Sequence, residues 1–381
     1  MKRSITSWAY PGFVLMGCEI TRRSALRLGA IAGLAGAAGA ACAAPAPLVF
    51  LNQNENPYGP SPLAKQAIAN GFSQLDQYTS EADVAALKTQ IAAFEGVAAE
   101  QIVLGADLDV IGQVLAALNG AGAEVVYSTP GYPVLAEAAA KVGGAAVPIP
   151  LNAALENDLP AIERAITPRT RVIYLINPHN PSGTVTEKAL WRDFLSRISR
   201  RALVIVDEAY LEFADDYSGR TAAHATRAGE NVAVFRTFDK AYGLASLSIR
   251  YTIFPLAVAK QMDAAGLGGA HSLNRLSLLA ASAALRDQAF IESNRRKIAA
   301  ERELWWRFLD ALGLSRTDSQ ANFVFFDTKL PHAQVSARLL AGGVQIARVF
   351  APYDTWVRLT IGRPADNALA RDLIRQALGR Q

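Results

Sequence analysis

The sequence predicts an α/β protein in which helices cover both faces of a mostly parallel sheet, joined to a smaller α+β part. Short runs of β-branched residues alternate with helical patterns through most of the chain, and such alternation implies parallel strands with helical crossovers. Beyond residue 276 the pattern changes to long helix followed by three strand-like runs. The length of 381 residues is about two and a half times a typical ~150-residue domain, which favours two unequal lobes.

The strands predicted for the sheet are short, and most end before polar or glycine-rich turns. They are Gln101–Gly105, Glu124–Ser128, Arg171–Ile176, Ala202–Val206, Val232–Arg236 and Ile249–Phe254. The clearest helical patterns between them are Ser80–Phe94, Pro133–Val142 and Glu187–Ile198. Ser80 and Asp83 have the spacing of an N-terminal capping box, which fixes where the first of these helices begins.

The smaller lobe is predicted from the C-terminal part of the chain. A helix over about Leu276–Leu312 precedes three strands and a last helix that begins at Pro364. The three strands are Asn322–Asp327, Val344–Phe350 and Val357–Ile361. The glycine-rich segment 266–269 has the composition of a linker. We therefore expect a leader over residues 1–46, a large domain over 75–265, and a small domain formed by 47–74 together with 266–381.

Composition and charge exclude several classes of protein. Hydrophobic residues make up 51% of the chain and charged residues 19%, which supports a large core and argues against disorder. The first 50 residues carry the whole net charge of +4, and the other 331 residues balance 33 basic against 33 acidic groups, so a nucleic-acid role gains no support. Cys18 and Cys42 both lie in the leader, which excludes thiol chemistry and disulfides from the body. The four histidines lack ligand spacing, so no metal is predicted.

The leader has the pattern of an export signal. Arg22 and Arg23 precede an uncharged run rich in alanine and glycine over residues 28–47, with small residues at 41–44 where a signal would be cleaved. The paired arginines and the weak hydrophobicity indicate the twin-arginine type of signal. We therefore expect export to the periplasm by the corresponding machinery. The alternatives are a membrane anchor, because the run is about long enough to span a bilayer, and a cytoplasmic protein.

Polar motifs stand at the ends of the predicted strands. In open α/β sheets, ligands bind beyond the carboxyl ends of the strands. In chain order these ends read Gly105–Asp107, Thr129–Pro133, Asn177–Thr184, Asp207–Tyr210 and Thr237–Leu244. A single lysine or aspartate in such a place is usually a surface or structural residue, but the whole set in this order is hard to obtain by chance. The sequence therefore predicts one site built from these segments.

This set of motifs resembles the fold-type I pyridoxal-phosphate (PLP) enzymes, specifically the class I/II aminotransferases of the histidinol-phosphate aminotransferase group. The similarity runs from Leu51 to the C-terminus. Its further motifs are Asn54–Ser61, which reads NENPYGPS, Ser319–Phe323 and Val357–Gly362. The resemblance implies the type I PLP fold with a mostly parallel, seven-stranded sheet in the large domain. It also implies a PLP cofactor, a homodimer with shared active sites, and transfer of an amino group between an amino acid or amine and a 2-oxo acid.

The resemblance further implies the catalytic residues. Lys240 would link covalently to the cofactor and then move the proton of the substrate Cα. Asp207 would pair with the pyridine nitrogen and keep it protonated, so that the ring withdraws electrons. Tyr210 and Asn180 would hydrogen-bond the phenolic oxygen of the ring, and Tyr132 would stack on the ring face.

The same resemblance implies residues that bind the cofactor phosphate. Ala106 and Asp107 stand where a helix follows a strand, and the free N–H groups of a helix start favour an anion. Thr237 would supply a hydroxyl. Tyr78 resembles the residue that reaches the phosphate of the neighbouring subunit.

For the substrate, the resemblance implies an arginine that grips an anionic group. Arg358 would do this with its two-pronged guanidinium. The group is the α-carboxylate in most class I/II enzymes and the phosphate in the histidinol-phosphate group. Arg348 resembles the second arginine of that group, and Tyr58 and Asn322 would line the same pocket.

Two positions depart from the family pattern, and both concern the phosphate. The family commonly has serine directly before the lysine and arginine eight residues after it, where this chain has Asp239 and Ser248. Loss of an arginine from a dianion site removes a charge-assisted pair worth ~1.5–3 kcal/mol. Arg250 lies two residues further along, on the same face of a strand, and is expected to take over this role. The competing hypothesis is that cofactor binding is weak or lost.

Three alternatives to the aminotransferase remain at this level. A PLP-dependent lyase or decarboxylase would use the same fold, because the fold does not determine which bond breaks. A non-catalytic exported relative with weakened cofactor binding is favoured by Asp239 and Ser248, but the other site residues argue against it. A dinucleotide-binding dehydrogenase is disfavoured because no Gly-x-Gly-x-x-Gly turn follows the first strand.

Overall fold

The structure is a computed structural model that describes residues 48–380, so the predicted leader over 1–46 lies outside the described residues. The strands are β1 (Val49–Leu51), β2 (Ile102–Leu104), β3 (Glu124–Thr129), β4 (Ala145–Pro150), β5 (Thr170–Ile176), β6 (Leu203–Asp207), β7 (Val232–Thr237), β8 (Arg250–Ile253), β9 (Phe323–Asp327), β10 (Val344–Ile346) and β11 (Trp356–Thr360). The helices are α1 (Pro62–Gly71), α2 (Glu81–Glu95), α3 (Leu108–Asn119), α4 (Val134–Lys141), α5 (Leu159–Arg164), α6 (Lys188–Ile198), α7 (Tyr217–Arg220), α8 (Ala223–Arg227), α9 (Leu256–Ala264), α10 (Arg275–Arg286), α11 (Gln288–Ala311), α12 (His332–Ala341) and α13 (Pro364–Ala377).

A seven-stranded sheet in the order β2-β8-β7-β6-β5-β3-β4 forms the centre of the fold. Strands β7, β6, β5, β3 and β4 pair in parallel, whereas β8 is antiparallel to both β7 and β2. The carboxyl ends of the parallel strands therefore meet at one edge. The antiparallel β8 begins at that edge, with Arg250 paired to Thr237 at the end of β7.

Both faces of this sheet are buried against helices. Along β6 alternate side chains point to opposite faces, as the period of a strand requires. Val204 and Val206 belong to the core cluster that contains Trp191 of α6, whereas Ile205 packs in the cluster that contains Ile111 of α3. Each such buried side chain contributes about 1.5–3 kcal/mol through the hydrophobic effect. A rigid two-sided core thus fixes the positions of the strand ends.

Two short sheets lie outside the seven-stranded one. Strand β1 pairs in parallel with β10, and β9 pairs antiparallel with β11. Arg358 of β11 lies opposite Phe325 of β9, and its backbone carbonyl accepts a hydrogen bond from Ala347 N at 3.3 Å. This hydrogen bond connects β11, which carries Arg358, to the segment that carries Arg348.

The predicted α/β class and the largely parallel sheet are confirmed. All six strands predicted for the large sheet are present within a few residues of their predicted bounds. The capping box at Ser80 and Asp83 is present as well, with Asp83 N donating to Ser80 Oγ and Ser80 N donating to Asp83 Oδ2.

Four details of the secondary structure differ from the prediction. Strand β4 was not predicted, because Pro148 and Pro150 argue against a strand except at a sheet edge, which is where β4 lies. Strand β1, of three residues, was missed too. The long helix over 276–312 is two helices, because Asp287 ends α10 and its side chain caps α11. The strand predicted to reach Phe350 ends at Ile346.

The strands of the large sheet lie between residues 102 and 253, and the small sheets use residues 49–51 and 323–360. The domain boundaries at residues 75 and 265 stay a prediction. Among the helices of residues 48–380, none combines the length and the apolarity that a membrane span needs.

Candidate active site

A cavity of about 530 Å³ opens at the edge where the parallel strands end. Ten residues predicted for the site line it, namely Asp107, Tyr132, Asn180, Asp207, Tyr210, Thr237, Lys240, Arg250, Arg348 and Arg358. They come from segments up to 251 residues apart in the chain (107 to 358). The predicted motifs therefore meet in one place, as expected for a ligand site beyond the carboxyl ends of the strands in an open α/β sheet.

Asp207 is the last residue of β6 and lies at the buried end of the cavity. Its carboxylate accepts hydrogen bonds from the hydroxyl of Tyr174 and from the backbone N–H of Ala209, both at 3.0 Å. Burial raises the pKa of Asp207 to about 6, and these hydrogen bonds oppose the rise only in part. Both donors are neutral, so the carboxylate suits a cationic partner in the cavity.

Lys240 follows β7 and reaches the same cavity. Its Nζ donates a hydrogen bond of 3.0 Å to the backbone carbonyl of Gln53. The tight turn after the lysine requires glycine at 243, where φ is +71° and an added Cβ would meet the carbonyl carbon of Gly59 at 2.5 Å. The lysine loop is thereby held against the N-terminal segment 53–59.

A hydrogen-bond relay joins Arg358 to the ends of the central strands. Arg358 Nη1 donates to Asn180 Oδ1 at 2.6 Å, and Asn180 Nδ2 donates to the hydroxyl of Tyr210 at 3.3 Å. That hydroxyl also accepts from Asn54 Nδ2 at 3.1 Å. Arg358 is buried, and burial lowers its pKa to about 10. Its Nε is buried without a hydrogen-bond partner, so the guanidinium retains an unused donor.

The second arginine lies at the same end of the cavity. The guanidinium carbon of Arg348 is 4.5 Å from the centroid of the Phe350 ring, and that of Arg358 is 5.0 Å from it. Phe350 therefore contacts both cations, at distances that cation–π interactions allow. Both arginines and the phenyl ring line the cavity, which gives this end a net positive charge.

The opposite wall holds two carboxylates around one arginine. Arg250 Nη1 donates to Asp107 Oδ2 at 2.5 Å, and Arg250 Nη2 donates to Asp239 Oδ2 at 3.3 Å. The expected shift of the arginine to position 250 thus places its guanidinium in the cavity wall, because β8 begins beside the end of β7. Thr237 Oγ1 accepts the backbone N–H of Asp239 at 3.0 Å, and its own hydrogen can be donated elsewhere.

Four residues predicted for the site do not line this cavity. Ala106 is buried in the same core cluster as Ile111. Tyr58 packs on the core, and Lys297 Nζ lies 4.7 Å from its ring centroid. Asn322 donates its amide hydrogens to the backbone carbonyls of Asn54 and Glu55, at 2.9 and 3.3 Å. The expectation that Tyr58 and Asn322 line the substrate pocket is therefore not met within this chain, because both side chains have other partners.

Tyr78 is the fourth of these residues, and its side chain is 86% exposed. Its ring lies 5.9 Å from that of His271, and its backbone carbonyl accepts from Arg275 at 2.5 Å. A side chain so exposed is free to reach a second copy of the chain, so its role toward a neighbouring subunit stays a prediction.

Several residues of the site were not predicted. Gln53 and Asn54 line the cavity, but no role was predicted for them. Gln53 directly precedes the NENPYGPS motif, and Asn54 is its first residue. The motif itself was the signal that could have found them. Tyr174 and Phe350 were missed because an aromatic residue in a strand or beside one usually packs in the core. Their contacts with Asp207 and Arg358 follow only from the tertiary structure.

The residues around the ring position fit the cofactor that the resemblance implies. Asp207 is placed for a protonated ring nitrogen, Lys240 for a covalent link, and the hydroxyl of Tyr210 with the amide of Asn180 for a phenolic oxygen. The deciding observation is Asp207, a buried carboxylate whose two hydrogen-bond donors are both neutral. Such a group is costly to ionise without a cation beside it.

Comparison with known proteins identifies the family of the chain. Residues 46–374 match the family described as aminotransferase class I and II. The histidinol-phosphate aminotransferase of Limosilactobacillus fermentum is 36% identical over 338 residues, which cover 88% of this chain and 92% of that protein.

Two solved structures are also similar. A putative histidinol-phosphate aminotransferase from Erwinia carotovora atroseptica superposes with a TM-score of 0.80 at 26% identity, covering 86% of this chain and 95% of that one. The histidinol-phosphate aminotransferase from Sinorhizobium meliloti in complex with pyridoxal-5'-phosphate gives 0.78 at 27% identity, covering 87% and 91%. The chain therefore belongs to the class I and II aminotransferase family and is a PLP-dependent aminotransferase.

Proposed function

We propose that the amino donor is a phosphate-bearing amine of the histidinol-phosphate kind and that the acceptor is a 2-oxo acid. The observation that carries this proposal is the pair of arginines at one end of the cavity. Arg348 and Arg358 both contact the ring of Phe350, and the buried Nε of Arg358 has no partner. A dianionic group can engage both guanidiniums, whereas a single carboxylate has fewer oxygens to share between them.

The remaining residues have distinct tasks in the transfer. When bound, PLP supplies an electron-withdrawing ring that stabilises negative charge on the substrate Cα. Lys240, whose Nζ reaches the cavity, would accept the proton of the substrate Cα. Asp207 would keep the ring nitrogen protonated, and Tyr210 with Asn180 would hydrogen-bond the phenolic oxygen of the ring. The relay from Asn180 to Arg358 couples ring orientation to the grip on the donor.

The donor class is tested by steady-state kinetics with histidinol phosphate and with histidinol, each with 2-oxoglutarate as acceptor. We expect kcat/KM to be at least tenfold higher for the phosphorylated donor. In Arg348→Gln this preference is expected to fall by about 10- to 100-fold, the equivalent of one charge-assisted pair, while the rate with histidinol changes less than threefold. Equal rates with both donors in the parent chain would contradict the proposal.

The same assay separates amino transfer from decarboxylation or elimination. Amino transfer requires the oxo acid for turnover, so omission of 2-oxoglutarate is expected to limit product to one equivalent per subunit. Continued product release without an oxo acid would indicate the lyase reaction instead.

We also propose that the protein is a homodimer with shared active sites. Phe72, Leu75 and Tyr78 form an exposed apolar segment, with 59, 58 and 86% of their side-chain surfaces accessible. Exposed apolar surface of this kind favours burial against a partner. Light scattering is expected to give twice the mass of the chain, and Tyr78→Ala is expected to weaken PLP binding at least tenfold. A monomer with full PLP affinity would contradict this proposal.

The leader supports a further proposal, that the protein is exported to the periplasm through the twin-arginine route. Its support is the pair Arg22 and Arg23 before the weakly apolar run. Fractionation of cells is expected to recover the protein in the periplasm, and replacement of both arginines by lysine is expected to retain it in the cytoplasm. An unchanged distribution would contradict export by this route.

A further inference from the structure

The cavity wall that would face the cofactor phosphate is occupied by the chain's own carboxylates. Asp107 and Asp239 both contact Arg250, at 2.5 and 3.3 Å, and we refer to these three residues as the carboxylate clamp. All three line the cavity, and the side chain of Arg250 is only 12% exposed. The clamp contains two potential negative charges and one positive charge, the opposite of what a phosphate dianion needs.

Several hydrogen-bond donors of this wall already have acceptors within the chain. Both terminal nitrogens of Arg250 donate to the carboxylates of the clamp. The first N–H of α3, that of Leu108, donates to Asp107 Oδ1 at 2.8 Å. The N–H of Asp239 donates to Thr237. A phosphate that enters this wall would therefore compete with the carboxylates of Asp107 and Asp239 for the guanidinium of Arg250.

The two carboxylates of the clamp are not equivalent. Asp107 also caps α3, so its position serves the helix whether or not a phosphate is present. Asp239 has no such second task for its side chain. Its Oδ2 contacts Arg250, and its Oδ1 is buried without a hydrogen-bond partner. Burial also raises the pKa of Asp239, while Arg250 and Lys240 act in the opposite direction. The displaceable carboxylate is therefore that of Asp239.

We propose that Asp239 is an internal competitor of the cofactor phosphate, which holds Arg250 and thereby weakens the preference of this site for PLP over unphosphorylated pyridoxal. The inference rests on PLP binding at Lys240 and adds a specificity-determining residue for the cofactor. The cofactor would then exchange readily with free PLP instead of remaining permanently bound.

The test measures dissociation constants of PLP and of pyridoxal for the full chain, from the absorbance change on addition of each aldehyde. Pyridoxal has a hydroxymethyl group where PLP has its phosphate ester, so the ratio of the two constants isolates the phosphate contribution. The behaviour of each aldehyde in solution cancels when variants are compared. We expect Asp239→Ser to raise the preference for PLP at least tenfold, because Arg250 becomes available and one negative charge is removed.

Two further variants control for packing and for general charge. Asp239→Asn keeps the size of the side chain and removes its charge, and it is expected to raise the preference for PLP at least tenfold as well. Asp109→Ser removes a carboxylate from the first turn of the same helix α3, outside the cavity wall, and is expected to leave the ratio within twofold of the parent.

Three outcomes overturn the proposal. The first is that the preference for PLP over pyridoxal rises less than tenfold in both Asp239 variants. The second is that this preference rises equally in Asp109→Ser. If only one Asp239 variant folds, that variant decides. The third is that the parent chain binds neither PLP nor pyridoxal. That result would contradict PLP binding at Lys240 and therefore the proposal that rests on it. An unchanged ratio with normal binding of both aldehydes removes the Asp239 proposal alone.

Discussion

The active-site carboxylate Asp207 is expected to reduce the stability of the cofactor-free protein, and the substitution Asp207→Asn tests this. An asparagine keeps the size of the side chain and can keep both hydrogen bonds. Its Oδ1 can accept from Ala209 N, and its Nδ2 can donate to the hydroxyl of Tyr174, which rotates to accept. The substitution therefore removes the charge with little other change.

The size of the effect follows from the pKa of Asp207. Burial raises this pKa from the ordinary 3.8 to about 6, so the folded state binds the proton more tightly than the unfolded state. Above pH 6 the ionised carboxylate therefore lowers the free energy of unfolding by about 3 kcal/mol. The penalty decreases as the pH falls through 6 and disappears below about 3.8. At pH 5 roughly half of it remains.

The assay is urea-induced unfolding of the full chain after removal of cofactor, at pH 8 and at pH 5. We expect Asp207→Asn to be more stable than the parent by about 3 kcal/mol at pH 8 and by roughly half as much at pH 5. Asp263→Asn, at an exposed position on α9, is the control and is expected to give the same small change at both pH values.

Addition of PLP is expected to reverse this order. A ring cation beside Asp207 removes the penalty in the parent, whereas asparagine offers it no charge, so PLP stabilises the parent by more. Activity of the variant is expected to fall by about 10²- to 10⁴-fold, corresponding to 3–5 kcal/mol for a broken buried pair. If the variant is less stable than the parent at pH 8, or if PLP stabilises both chains equally, the role given to Asp207 is wrong.

Two further substitutions test the substrate arginine and the lysine loop. Arg358→Lys loses one of the two arms that bond Asn180 and a backbone carbonyl, so kcat/KM for the anionic donor is expected to fall about 10- to 100-fold (~1.5–3 kcal/mol), while PLP affinity changes less than threefold. An equal loss of PLP affinity would show that the arginine acts on the cofactor instead. Gly243→Ala adds a clash with the backbone of Gly59 to the strain of a positive φ, and it is expected to lower the free energy of unfolding by more than the ~1–3 kcal/mol of Gly229→Ala, where φ is +79° but the space is open. Equal losses in urea unfolding would mean that the close approach at 243 is unimportant.

Much of the site could be predicted because it depends on strand ends. Asp207 and Thr237 are the last residues of parallel strands, and Lys240 follows the second of them closely. Alternating strands and helices indicate a parallel sheet, and the carboxyl ends of parallel strands lie at the same edge of that sheet. Arg250 was predicted from its place two residues after Ser248 on the same face of a strand, and the structure brings it beside the end of β7 because β8 returns antiparallel.

The contacts that could not be predicted are those between segments far apart in the chain. The bond from Lys240 to the carbonyl of Gln53 spans 187 residues, and the amide of Asn322 holds a backbone segment 268 residues away. No local pattern encodes such pairs, which depend on how the N-terminal segment crosses the strand ends. Strand β4 was missed for a local reason, because its prolines are compatible with a strand only when that strand is known to lie at an edge.

The location of the covalent link to the cofactor tests the account most directly. The full chain, incubated with PLP, reduced with borohydride and digested, is expected to yield one modified peptide, with the adduct on Lys240. Lys240→Ala is expected to give none, while Lys297→Ala, which removes a lysine that contacts Tyr58 outside the cavity, is expected to match the parent. A protein that acquires no visible absorbance with PLP, or that carries the adduct on a different lysine, would contradict the central claim.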